Sequence, residues 1–139
     1  MRCLGLDIGD RRVGVAISTG GILAGGVETF ARTTLAQDCA HIAQLAREHD
    51  ITRIVCGLPR HLNGDKHEQA EKNELLCNVL REAGFEIVYM DERLTSVQAD
   101  RLMLEADLSR RKRKKNIDKL AAEIILQDYL DRENGGIHT

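Results

Sequence analysis

The sequence predicts one α/β domain over residues 1–139, with a five-stranded mixed sheet flanked by helices. Three observations point there. Short apolar runs crowd the first 30 residues, and after them helix-period segments alternate with two further short apolar runs. No internal repeat or dividing linker interrupts the 139 residues, a length that buries a substantial core without disulfide or metal staples.

The elements follow in order. Cys3 to Ile8 and Val13 to Ile17 read as two strands joined by a hairpin turn at Gly9-Asp10-Arg11-Arg12. Val27 to Phe30 is a weaker third strand after Gly20-Gly21 and Gly25-Gly26. A helix spans about Leu35 to His49, with Leu35, Cys39, Ile42 and Ala46 on one face. Arg53 to Cys56 is a short buried strand that ends at Gly57-Leu58-Pro59, and a polar loop follows over residues 60–66. The next helix runs from about Glu68 to Ala83, with Asn73, Leu76, Cys77 and Leu80 inward and Gly84 placed to end it. Glu86 to Met90 is the fifth strand. Thr95 and Gln98 form a capping-box pattern for a third helix whose buried face carries Ala99, Leu102, Met103 and Ala106. A last helix from about Ile117 to Leu130 repeats apolar residues at Ile117, Leu120, Ala121, Ile124 and Ile125. Three strands in a meander followed by helical crossovers make the sheet mixed.

Composition narrows the class. No stretch approaches the roughly 18 apolar residues that cross a bilayer, and the start MRCLGLDIGD has no signal-peptide character, so a cytoplasmic protein is expected. Cys3, Cys39, Cys56 and Cys77 each sit in apolar surroundings without C-x-x-C spacing, which predicts reduced core residues and no zinc site. The five histidines are scattered and suit no covalent mechanism. Net charge is −2, yet Arg110, Arg111, Lys112, Arg113, Lys114 and Lys115 form an unbroken basic run; without it 14 basic residues face 22 acidic ones. Such a segment either solvates a helix junction or binds phosphate, and its size favours phosphate.

Three acids stand out. Asp7 interrupts an apolar strand, where an ionised carboxylate is costly unless a cation or hydrogen bonds compensate it. It either caps the following turn or faces a ligand, and Gly5 and Gly9 leave room for the second. Glu92 directly follows the fifth strand; it belongs to a solvated turn or to a ligand site at the carboxyl edge of the sheet. Asp118 opens the last helix, where it complements the helix dipole, but it also precedes Ala121 and Ile125 by three and seven residues, beside the buried stripe. Three converging carboxylates repel one another unless a hard divalent cation, Mg²⁺ or Mn²⁺, sits between them. Such an ion beside a phosphodiester orients water and stabilises the leaving oxygen.

The blocks LGLDIGDRRVGVAIS, IVCGLPRHLNG, DERLTS and KNIDKLAAEIILQDYL, in this order over nearly the full length, resemble the YqgF (RuvX) family of pre-16S rRNA nucleases. The resemblance implies a ribonuclease H-like fold similar to RuvC, with catalytic and metal-binding acids at Asp7, Glu92 and Asp118. It also implies supporting roles for Arg11 or Arg12 and for Asn63 in the GLP…NG loop. The expectation is therefore a metal-dependent nuclease that processes the 5′ end of pre-16S rRNA, as a monomer or weak homodimer with no membrane partner. Two alternatives stay open: a Holliday junction resolvase acting on branched DNA, and a non-catalytic rRNA-binding assembly factor. An actin-like ATPase, which shares the Asp-x-Gly strand and hairpin, needs two such lobes and is set aside.

Overall fold

A computed structural model describes residues 2–9, 11–58, 64–91 and 110–135, of which 58, 64–70, 91 and 110–118 are described by their backbone alone. Its strands are β1 (Cys3–Ile8), β2 (Arg12–Ser18), β3 (Gly25–Ala31), β4 (Arg53–Leu58) and β5 (Glu86–Asp91). Its helices are α1 (Leu35–Glu48), α2 (Gly64–Glu82) and α3 (Arg110–Glu133). The expected helix after Thr95 lies outside the described residues, as do Glu92 and Asn63.

The five strands form one sheet in the order β3-β2-β1-β4-β5. β1 runs antiparallel to β2 and parallel to β4, and β5 runs parallel to β4. The mixed sheet expected from the sequence is thus present, with β1 at its centre.

Alternation along β1 divides the core in two. Leu4, Leu6 and Ile8 join Val13, Val15 and Ile17 beneath α1 and α2, together with Ile42, Leu76 and Leu80. Cys3 joins Ala16, Val55 and Met90 beneath α3, against Ala122, Leu126 and Leu130. Local signals place the helices well. Thr34 caps α1 by accepting the Gln37 N–H at 3.1 Å. After α2 the chain turns at Gly84 with φ +105°, a conformation that suits glycine.

Three expectations need correction. Leu35 is 38% exposed, so the buried face of α1 is built instead on Cys39, Ile42, Ala43 and Ala46. The buried stripe of α3 is Ala121, Ala122, Ile125, Leu126, Tyr129 and Leu130, which keeps Ala121 and Ile125 of the expected face and leaves Leu120 and Ile124 half-buried at its margin, while the side chain of Ile117 lies outside the described residues. Apolar content alone did not resolve this, because both stripes repeat with helical period. Finally, α3 starts at Arg110 and not near Ile117, so the basic run forms its opening turns and not a preceding junction. Arginine and lysine are good helix formers, and no Gly or Pro lies between them and Ile117.

Candidate metal and nucleic-acid site

The site is best built outward from Asp7, the penultimate residue of β1 and only partly buried. It shares its face with Cys3 and Gly5, the face covered by α3. In β2 its partner is Gly14, and Gly14 pairs in turn with Thr29 of β3. On the other side the last recorded pair with β4 is Leu6↔Cys56, so the next step brings Asp7 level with Gly57. Neither strand beside Asp7 therefore contributes a side chain at its level.

Gly5 does not leave space for a ligand, as the sequence suggested. A Cβ there would lie 2.7 Å from the Leu126 Cβ and 3.1 Å from the Ala122 carbonyl, so Gly5 admits the close approach of α3. Gly9 serves the hairpin: its N–H donates to the Arg12 carbonyl at 2.9 Å, and a Cβ would meet that oxygen at 3.0 Å.

The crossing of α3 over Gly5 sets the level of Asp118. Tyr129 lies near the start of β4, where its hydroxyl accepts from Arg53 Nη1 at 2.7 Å, while Ala122 and Leu126 lie over Gly5. Moving toward the helix N-terminus thus moves toward the carboxyl end of β1. Asp118 stands four residues before Ala122, one turn or about 5.4 Å along the axis, and Asp7 stands two strand residues, about 6.6 Å, beyond Gly5. The backbone brings the two positions to the same end of the sheet. Because α3 begins at Arg110, Asp118 is more than two turns inside the helix, and the dipole no longer accounts for an acid there. The basic run continues the helix roughly 12 Å past the level of Asp118.

β5 ends at Asp91, opposite Leu58, at this same edge, and Glu92 lies outside the described residues. Two strand spacings separate β5 from β1, about 9–10 Å between axes. Arg11 is exposed in the hairpin beside Asp7, and Arg12 is half-buried at the start of β2. Among the described residues no group of three or more His, Cys, Asp or Glu side chains is arranged to hold a metal. The donors available at this edge are oxygens. The thiols lie elsewhere: Cys56 and Cys77 meet at 3.0 Å between β4 and α2, on the opposite face of the sheet. That contact, with burial, holds the Cys56 thiol well above its ordinary range and lowers Cys77.

The structure adds residues that sequence reasoning passed over. Asn73, expected only to face inward from α2, is fully buried and donates from Nδ2 to the Ile8 carbonyl at 3.3 Å. Arg32, just after β3, donates from Nη1 to the Gly9 carbonyl at 3.1 Å. Among the described residues, the buried Thr29 hydroxyl has no hydrogen-bond partner. An amide at a core position of a helix was the one available signal.

With this geometry in view, the chain can be set beside known proteins. A family model described as "RuvX: Holliday junction resolvase" matches residues 1–132. The chain belongs to the RuvX family. A Clostridium tetani protein named "Putative pre-16S rRNA nuclease" is 50% identical over 133 residues, covering 94% of this chain and 96% of that protein. A Halalkalibacterium halodurans protein of the same name is 46% identical over 137 residues, covering 96% and 98%. Among solved structures, Thermus thermophilus RuvC bound to a Holliday junction superposes with a TM-score of 0.63 at 14% identity, covering 97% of this chain and 96% of that one. Fowlpox virus resolvase with junction DNA gives 0.60 at 10% identity, covering 96% and 99%. The fold is therefore ribonuclease H-like, as the resemblance implied. Membership in RuvX makes this chain a nuclease, an enzyme that hydrolyses phosphodiester bonds in nucleic acid. Among the described residues no helix is long and apolar enough to cross a membrane.

Proposed function

We propose that this RuvX protein is a Mg²⁺- or Mn²⁺-dependent nuclease that trims the 5′ end of precursor 16S rRNA in the cytoplasm. Asp7, Glu92 and Asp118 hold the ion, and the helical basic run from Arg110 to Lys115 binds the RNA backbone. The observation that carries this reading is the packing of Ala122 and Leu126 against Gly5, one helical turn from Asp118 and two strand residues from Asp7. The donor set fits a hard divalent cation, since carboxylate oxygens are its preferred ligands.

When bound, such an ion lowers the pKa of a coordinated water and stabilises charge on the phosphoryl oxygens. The chain's own residues do the rest. The carboxylates of Asp7 and Asp118 orient the water side of the site. The cations on α3, with Arg11 and Arg12, hold the phosphates in register through sequence-independent contacts. Asn63 contributes from the GLP…NG loop. No covalent enzyme intermediate is involved.

Cleavage of a pre-16S 5′-end RNA and of a four-way DNA junction, each with Mg²⁺, Mn²⁺ or chelator, tests this reading. Wild type is expected to cut the RNA in a metal-dependent manner, while Asp7→Asn and Asp118→Asn do not. Equal cutting by the Asp7→Asn protein would end the proposal. A preference for the junction would favour branched DNA, the substrate named in the family description.

A further inference from the structure

We infer that Asn73 and Arg32 are positioning residues for Asp7: from two different elements they clamp the two backbone carbonyls that follow it. The inference rests on Asp7 being a metal ligand, as proposed above.

Two polar side chains reach the backbone carbonyls just after Asp7. Asn73, fully buried on α2, donates to the Ile8 carbonyl at 3.3 Å. One residue further, Arg32 Nη1 donates to the Gly9 carbonyl at 3.1 Å, and the Arg32 backbone N–H donates to the Arg11 carbonyl at 2.8 Å. Arg32 is itself fixed from behind. Its Nε donates to Asp38 Oδ2 at 3.3 Å, and Asp38 Oδ1 accepts from the Thr33 N–H at 3.0 Å and its hydroxyl at 3.3 Å.

Burying an amide, a guanidinium and a carboxylate is costly, and an apolar core needs none of them. All three act, directly or through a neighbour, on Ile8, Gly9 and Arg11, just after Asp7. A metal ligand is useful only when its oxygen is held to a fraction of an ångström, and groups behind the ligand do that holding. A hairpin reached through Gly9 would otherwise let the strand end shift.

The test measures Mn²⁺ binding to the full chain by electron paramagnetic resonance of the free ion, alongside kcat, KM and melting temperature. Asn73→Leu and Arg32→Met are each expected to weaken Mn²⁺ binding and lower kcat by roughly 10-fold, the low end for groups behind a ligand. KM for RNA is expected to stay within twofold. Arg32→Lys, which keeps the charge and can still donate to Gly9, is expected to recover most of the loss. If Asn73→Leu fails to fold, the two Arg32 variants decide. Lower melting temperatures with unchanged Mn²⁺ affinity and kcat would make the clamp purely structural and overturn the inference. Asp7→Asn serves as the reference. If it abolishes Mn²⁺ binding while the clamp variants bind normally, the clamp alone is wrong. If it binds Mn²⁺ like wild type, the ligand assignment fails and the clamp falls with it.

Discussion

The two ends of the central strands are built on opposite plans. At the amino end of β4, the Arg53 guanidinium lies between the Tyr129 hydroxyl at 2.7 Å and the Glu86 carboxylate at 2.9 Å, and so joins three elements. Each polar group there is answered by another, and the Glu86 contact pushes Arg53 up. At the carboxyl end, Gly14 and Gly57 stand level with Asp7, and Asn73 and Arg32 donate to the Ile8 and Gly9 carbonyls that follow it. The same strands and the same helix thus close one end and leave the other organised around a carboxylate. Saturation at one end serves stability, whereas the backbone held at the other serves chemistry under the proposed function.

The sharpest way to break this contrast is to exchange the damage. Asp7→Asn is expected to lower RNA cleavage by at least about 100-fold, since losing a ligand exceeds the effect of losing a group behind one, without lowering the melting temperature. Arg53→Met is expected to do the reverse. It leaves the nearly buried Tyr129 hydroxyl without its partner, at a cost of about 1–3 kcal/mol, while cleavage stays within twofold. Denaturant melts and initial rates on the two variants give the answer, and a stability loss confined to Asp7→Asn would contradict it.

A smaller effect belongs to the basic turns of α3. Replacing Lys112 and Arg113 by Gln is expected to weaken binding to all RNA sequences alike and to flatten the salt dependence. The slope of log K against log salt is expected to change by about 1.4 for two contacts to single-stranded RNA. Filter binding at several salt concentrations reads this directly; an unchanged slope would remove these residues from the phosphate path. The smallest effect is at Thr29, level with Asp7 two strands away. Its buried hydroxyl has no partner among the described residues, so Thr29→Val is expected to leave stability unchanged or raise it by up to about 1 kcal/mol. A clear loss of stability would mean that the hydroxyl is bonded in solution.

Much of the scaffold was readable along the chain. β1, β2, α1, α2 and β5 lie within a few residues of their expected ranges, because apolar periodicity and local signals such as Thr34 and Gly84 mark them. The inward face of α2, with Asn73, Leu76, Cys77 and Leu80, is as expected. The start of α3 was misjudged because charge suggested a junction, whereas the backbone preference of arginine and lysine carries the helix through. Gly5 was misjudged because a missing side chain says that something comes close without saying what; here it is Leu126.

Read alone, the order of residues determined the α/β class, the strand count and the chemical kinds at hand: isolated acids, a cationic block and buried thiols. Those are consequences of local preference and period, which a linear pattern encodes. How α3 lies across the sheet, and therefore which acids come level, was settled by packing between segments more than a hundred residues apart. Packing across 65 and 23 residues likewise settled that Asn73 and Arg32 meet the Ile8 and Gly9 carbonyls, since a hydrogen bond to a carbonyl leaves no mark on the sequence that supplies it.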